Sequence, residues 1–166
     1  MRREVALKLI RGEVASPLAR AYFDVERQAL AQMQHPAIAQ VFDAGTTEQG
    51  HAYLAMEVVE GEPITRFCRT AGLDRAERLA LFARVCNGVQ HAHQKGIIHR
   101  DLKPANVLVR LVDGVAMPKI IDFGIAIGGV AEGGAVAAHA TATDQAGTAI
   151  YMSPEQAVRQ PRDLDT

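Results

Sequence analysis

Residues 99–106 read His-Arg-Asp-Leu-Lys-Pro-Ala-Asn, and they constrain the fold more than any other stretch of the chain. Arg100, Asp101, Lys103 and Asn106 fall between two apolar runs, Ile97-Ile98 before and Val107-Leu108-Val109 after. Pro104 forbids a regular helix through the segment, because it lacks an N–H and clashes with the preceding turn. Two buried elements are therefore joined by a polar loop whose groups must all find partners. Taken alone, that describes a capped structural turn. Sixteen residues beyond Asn106 stands Asp122, in Ile121-Asp122-Phe123-Gly124. A carboxylate directly after a buried strand is costly unless it binds something. Asn106 and Asp122 together offer oxygen ligands, which suit magnesium and not zinc.

The flanking sequence supplies short strands and two long helices. Val5 to Ile10 reads as a strand with Lys8 inside it. Ser16-Pro17 reads as an N-cap followed by proline at the first helical position. Leu18, Ala21, Tyr22, Val25, Ala29 and Met33 follow at a helical period, and His35-Pro36 ends that helix. Strands are expected at Ile38 to Ala44 and Ala52 to Val58, joined by a Thr-Thr-Glu-Gln-Gly turn, with a change of direction at Gly61 and Pro63. A helix is expected from Asp74 to Lys95: Asp74 and Glu77 form a capping box, and Gly96 ends it. Its expected buried stripe is Leu79, Phe82, Ala83, Cys86, Val89, Gln90 and His93. Asp113-Gly114 predicts a hairpin turn, and Lys119 to Phe123 a further short strand. Gly124 to Thr148 is rich in Gly, Ala and Thr and reads as a loop. There is no internal repeat, and the fold class is α+β.

Length and composition narrow the function classes. One domain fits 166 residues, and a fold of that size buries roughly 70% of its unfolded surface. The apolar fraction of 48% and charged fraction of 22% exclude a disordered chain, a collagen and a long coiled coil. Eighteen basic and nineteen acidic residues give a net charge of −1, so no overall field draws the chain to nucleic acid or anionic lipid. Cys68 and Cys86 are too few for a disulfide framework or a zinc cluster and read as reduced thiols of a cytoplasmic protein. No stretch approaches the roughly 20 apolar residues of a membrane span, and the N-terminus is too interrupted for a signal peptide.

His-Arg-Asp-Leu-Lys-Pro-Ala-Asn, then Asp-Phe-Gly at 122–124, then Ser-Pro-Glu at 153–155, preceded by Val-Ala-Leu-Lys at 5–8, resemble the motif set of a protein kinase. The Asp-Leu-Lys-Pro-x-Asn form resembles the serine/threonine-specific branch, in its bacterial (Hanks-type) members. The resemblance covers nearly all of the chain. It implies a two-lobed fold, with 1–60 as a small β-rich N-lobe remnant and 61–166 as part of a helical C-lobe. It also implies Mg-ATP as phosphoryl donor and a protein Ser/Thr hydroxyl as acceptor. Asp101 matches the catalytic-loop aspartate, and Lys103 the lysine that neutralises charge on the transferring group. Asn106 and Asp122 match the magnesium ligands. Lys8 matches the strand lysine that holds the α- and β-phosphates, and Glu26 its ion-pair partner. Ala6 and Leu108 resemble the residues that sandwich adenine, and Met56 the residue at the back of that pocket. Glu57 and Val59 resemble the hinge residues that bond its edge through the backbone. Leu30, Val41, His99 and Phe123 resemble the stack that links the two lobes, so His99 reads as a packed core residue. Arg100 suggests control by loop phosphorylation, with Thr141 and Thr143 as candidate phosphosites and Thr148 as a contact to the catalytic loop. A kinase–kinase dimer is a further partner the resemblance allows.

No Gly-x-Gly-x-x-Gly occurs in the chain, although the family's glycine-rich loop precedes the Val-Ala-Leu-Lys strand. The large helix that follows Ser-Pro-Glu in related kinases, and supplies an Arg for Glu155, is also not in the sequence. The expectation is a kinase domain shortened at both ends, weak or inactive alone, with Val5 to Ile10 as an exposed apolar edge. The alternative is a non-catalytic remnant that binds nucleotide or a protein partner. A small-molecule phosphotransferase of related fold is disfavoured by Lys103 and by the Asp-Phe-Gly and Ser-Pro-Glu motifs.

Overall fold

The computed structural model describes residues 3–13, 17–123 and 149–157, in backbone alone at 10–13, 17–20, 22, 26, 149, 155 and 157. Three strands form the first sheet: β1 (Ala6–Glu13), β2 (Val41–Thr46) and β3 (His51–Met56). They run antiparallel in the order β1-β3-β2, with Lys8 opposite Leu54 and Ala6 opposite Met56. Along β3, Ala52, Leu54 and Met56 alternate inward. They pack with Ala44 against Phe23 of helix α1 (Pro17–Ala31). β1 is an edge strand, as expected, and Leu7 and Leu9 on its outer face are 61% and 60% exposed.

The second sheet is β4 (Glu62–Pro63), β5 (Val107–Val112) and β6 (Val115–Ile120), antiparallel in that order. Asp113 and Gly114 form the hairpin turn, both at positive φ (51° and 77°), as a two-residue Asp-Gly connection requires. Helix α2 (Ile64–Thr70) and helix α3 (Arg75–Gln94) follow β4. The α3 capping box is complete: Asp74 accepts from the Glu77 amide, and Glu77 accepts from the Asp74 amide, both at 2.8 Å. Gly96, at φ 72°, ends the helix.

One core joins these parts. Leu30 and Met33, from the α1 end, pack with Ile38, Val85, Ala92, Ile97, Val107, Ile120 and Phe123. Ile120 is fully buried; sequestering a side chain of that size is worth about 1.5–3 kcal/mol. The end of β6 is tied by backbone to the connection after α1: the Ala39 amide donates to Ile120, and the Ile120 amide to Ala37, at 2.9 and 2.8 Å. A smaller cluster of Phe67, Leu81 and Val109 seats α2 on the second sheet.

Five expectations are corrected. The strand expected from Ile38 begins at Val41, because Ile38 instead bridges in parallel to Ile120. The strand expected through Val58 stops at Met56, where the Glu57 amide turns to the Gln40 carbonyl. Lys119 and Ile120 belong to β6, and Ile121 to Phe123 leave the ladder because Asp122 takes a left-handed turn at φ 59°. On α3 the buried residues are Leu81, Val85, Gly88 and Ala92, while Leu79, Phe82 and Cys86 are exposed. The helix carries two apolar stripes, and contact selects the one containing Gly88. A Cβ there would stand 3.0 Å from Ile120 Cδ1 and 3.2 Å from the Ala37 Cβ. On α1, similarly, Phe23 and Leu30 are buried while Val25 is 67% exposed.

Candidate active site

The site is built on the loop between Ile97 and the second sheet. Ile97 is buried, and Val107 begins β5, so both ends of the loop are anchored. Pro104–Asn106 form one 3-10 turn, which points the buried Asn106 back into the loop. Asn106 Nδ2 donates to the Asp101 carbonyl at 2.7 Å and to Asp101 Oδ2 at 3.0 Å. Lys103 Nζ lies 3.1 Å from the same Oδ2. Among the described residues, the buried Asp101 Oδ1 has no hydrogen-bond partner. One carboxylate oxygen is thus held by two donors, and the other has acceptor capacity that no donor among the described residues uses.

Asp122 is brought to this loop by backbone pairing. The Ile121 amide donates to the Asn106 carbonyl at 2.9 Å, and the next residue is Asp122 at φ 59°. A non-glycine residue in that region is uncommon and is held there by its surroundings. Lys8 Nζ, projecting from β1, lies 3.1 Å from Asp122 Oδ1. Both side chains are about two-fifths exposed, so the pair is open to exchange with another anion.

His99 links the two aspartates. It is buried, its ring lies 4.6 Å from that of Phe123, and its Nε2 is 2.9 Å from the Ile121 carbonyl. Its Nδ1 accepts from the Asp101 amide at 3.3 Å, and its own carbonyl accepts from that amide at 2.9 Å. These bonds assign the proton to Nε2. Burial holds the imidazole below its ordinary pKa, against the pull of the Ile121 bond and of the Asp101 and Asp122 charges. Arg100, between them, sits at φ 63°.

A second polar cluster escaped the sequence reading. The Glu57 side chain turns to Lys119, with Oε2 to Nζ at 2.8 Å, and also accepts the Gln40 amide at 3.2 Å. Arg110 lies 3.9 Å from its other oxygen, and Lys119 donates to the Ile38 carbonyl at 3.1 Å. Burial pushes the Glu57 carboxyl up, but the Lys119 bond, the Gln40 amide and the two positive charges outweigh it and hold the group below its ordinary value. The only available sequence signal was Lys119 itself, a cation at the end of an apolar strand. Pockets of about 450 and 260 Å³ flank this pair, and neither is lined by Asp101, Asn106 or Asp122.

The structure therefore brings Asp101, Lys103 and Asn106 into one cluster and places Lys8 on Asp122. Met56 is buried, Leu108, Glu57 and Val59 are half-buried, and Ala6 is exposed on β1. Leu30 and Phe123 are buried in one core, with Val41 packed against it. Glu26 lies on α1, and its side chain is outside the described residues, as are Gly124, Thr141, Thr143 and Thr148.

Comparison with known proteins identifies the family. Residues 1–164 match the protein kinase domain family. The chain belongs to the protein kinase family. It is 37% identical over 162 residues to the serine/threonine-protein kinase PknB of Mycobacterium tuberculosis, covering 95% of this chain and 25% of that protein. It is 36% identical over 166 residues to a probable serine/threonine-protein kinase PknB of Corynebacterium glutamicum, covering 97% and 25%. This kinase chain thus spans about a quarter of the length of the curated relatives it matches. Among solved structures it resembles a cysteine-to-alanine mutant of the Mycobacterium tuberculosis PknI kinase domain (TM-score 0.61, 32% identity, 76% of this chain and 51% of that one). It also resembles Rad53 1-466, solved in complex with AMP-PNP (TM-score 0.59, 28% identity, 74% and 31%). The partial kinase fold accounts for the two small antiparallel sheets and their helices.

Proposed function

We propose that this chain carries the catalytic centre of an ATP-dependent serine/threonine protein kinase, transferring the γ-phosphoryl group of Mg-ATP to a protein hydroxyl. The observation that carries the reading is the asymmetry of Asp101. Its Oδ2 is occupied by Lys103 and Asn106, while its buried Oδ1 lacks a donor among the described residues. A substrate hydroxyl is such a donor, and an acceptor held in place can orient it and take its proton.

The residues also fit a hard cation and a triphosphate. Both Asn106 Nδ2 bonds go to Asp101, which leaves Oδ1 as its ligand atom, and Asp122 adds a carboxylate. No group of three or more His, Cys, Asp or Glu able to hold a metal occurs among the described residues. Magnesium needs none, since it takes one or two carboxylates and completes its shell with water and substrate phosphates. When bound, the ion offsets charge on the phosphate oxygens. Lys8 exchanges its Asp122 contact for phosphate, and Lys103 holds positive charge beside Asp101. Ala6, Met56 and Leu108 supply the apolar slot, and Glu57 and Val59 the backbone hydrogen bonds for an uncharged base. Glu26 steadies Lys8. ATP as donor places the reaction in the cytoplasm, and no helix among the described residues is long and apolar enough to cross a membrane.

The test is magnesium-dependent transfer of labelled phosphate to an unstructured Ser/Thr-containing protein by the naturally expressed full-length protein. Asp101→Asn and Asp122→Asn are each expected to lower kcat by at least about 10²-fold. Absence of transfer by the unaltered protein, with retained nucleotide or partner binding, would instead establish the non-catalytic reading.

A further inference from the structure

Gln156 lies on the short helix α4 (Pro154–Ala157), far along the chain from the Asp101 loop. Its carboxamide is nevertheless spent on that loop. Nε2 donates to the Arg100 carbonyl at 2.6 Å, and Oε1 accepts the Ser153 amide at 3.1 Å. The Arg100 carbonyl and the Asp101 amide are the two edges of one peptide plane. The Asp101 edge is held by the His99 carbonyl and imidazole, at 2.9 and 3.3 Å. The Arg100 edge is held by Gln156.

From this two-sided arrangement we infer that Gln156 is a positioning residue for Asp101: it locks the peptide preceding the aspartate and couples it to the Ser153 segment. The inference rests on the proposed role of Asp101 as hydroxyl acceptor. The lock has a physical reason to exist. Arg100 occupies the left-handed region at φ 63°, which costs an L-residue about 1–2 kcal/mol. An unheld peptide relaxes by rotating, and rotation swings the Asp101 amide off His99 and carries the side chain with it. Displacement of a reacting group by about 1 Å can cost roughly 10²-fold in rate. Ser153 is drawn into the same unit, so a change on that side reaches Asp101 without touching substrate or nucleotide.

Chemistry distinguishes this lock from mere packing, because Arg100 offers an acceptor and needs a donor. Gln156→Glu keeps size and the acceptor for Ser153 but sets an anion against a carbonyl. Gln156→Met keeps size and removes both bonds, and Gln156→Lys retains a donor. In the naturally expressed full-length protein, Glu and Met are expected to lower kcat by about 10- to 100-fold with the KM for ATP unchanged within about twofold. Lys is expected to keep several-fold more kcat than Glu. Exchange of the Asp101 amide, read by hydrogen–deuterium exchange, should quicken about tenfold in the Glu and Met variants, consistent with the loss of one restraining hydrogen bond. Equal kcat for Glu and Lys, a loss confined to KM, or an unchanged Asp101 exchange rate would each overturn the inference. The exchange comparison holds whether or not phosphate is transferred. An inactive unaltered protein therefore counts against the kinase reading, while the exchange rate alone decides the lock.

Discussion

His99 Nε2 lies 2.9 Å from the carbonyl oxygen of Ile121, so one imidazole spans the peptides that precede both Asp101 and Asp122. The bond pattern requires the neutral ring with its proton on Nε2. Protonating Nδ1 would remove one of the two acceptors of the Asp101 amide and place a charge in a buried site.

His99 therefore makes the centre acid-sensitive. Its folded pKa lies below the ordinary 6.5, so the unfolded chain binds more protons in the window between the two. Stability is full above pH 6.5 and is lost as pH falls through the lower folded value. His99→Phe keeps the ring against Phe123 but leaves the Ile121 carbonyl without its donor, at a cost of about 1–3 kcal/mol near pH 7.5. Urea unfolding at pH 7.5 and 5.5 should show a smaller difference in the variant than in the parent.

His35 adds a second acid-sensitive joint. Its Nδ1 accepts the Ala37 amide at 3.1 Å, and its ring lies 5.2 Å from that of His91 on α3. Burial, then His91, then Lys119 hold its pKa below 6.5, with Glu57 paired to that lysine. The sign is the same: its contribution is complete above pH 6.5 and falls away toward acid. His35→Asn supplies a non-titrating acceptor for Ala37. It should leave the melting temperature at pH 8 nearly unchanged and raise it relative to the parent at pH 5.5.

What could be read from the sequence follows the range of the interaction. The α3 capping box, Gly96 and the Asp113-Gly114 turn are local, and each formed as its residues dictate. Asp101, Lys103 and Asn106 also meet locally, within one loop. Lys8 on Asp122 was approachable only through family resemblance, because no periodicity connects an edge strand to a turn so far along the chain. The Gln156–Arg100 and Lys119–Glu57 contacts, separated by 56 and 62 residues, left no local trace. The α3 stripe failed for the same reason: Ala37 and Ile120 select the buried face, and only Gly88 recorded their approach.

The Glu57–Lys119 pair should behave as a buried ion pair. The two side chains are 21% and 13% exposed and share the Gln40 amide and the Ile38 carbonyl. Lys119→Met is expected to cost about 3 kcal/mol, mostly by leaving Glu57 short of a donor. A double-mutant cycle with Glu57→Gln should return a coupling of about 1–3 kcal/mol. A value below about 0.5 kcal/mol would mark a solvent-screened pair instead. Glu57's contribution is present above pH 4.5 and is lost as pH falls through its lower folded value, so Lys119→Met should move acid unfolding upward.

Gly61 tests how closely the second sheet approaches the segment before β4. A Cβ at this position would stand 2.8 Å from the Val109 carbonyl oxygen and 3.0 Å from its carbon, both backbone atoms. Val109 cannot yield easily: it is 1% exposed, packs with Phe67 and Leu81, and pairs with Glu62 in the ladder. Gly61→Ala must therefore push β4 from β5, at about 1–3 kcal/mol, the usual penalty for overpacking. Gly50→Ala is the contrast. Nothing lies within 4 Å of its added Cβ, and the only cost is the positive φ of 83°, about 1 kcal/mol. Chemical denaturation should rank Gly61→Ala as the more damaging change, with slower refolding of the β4–β5 pairing. The reverse order would mean that the Gly61 segment stands farther from Val109 than these distances imply.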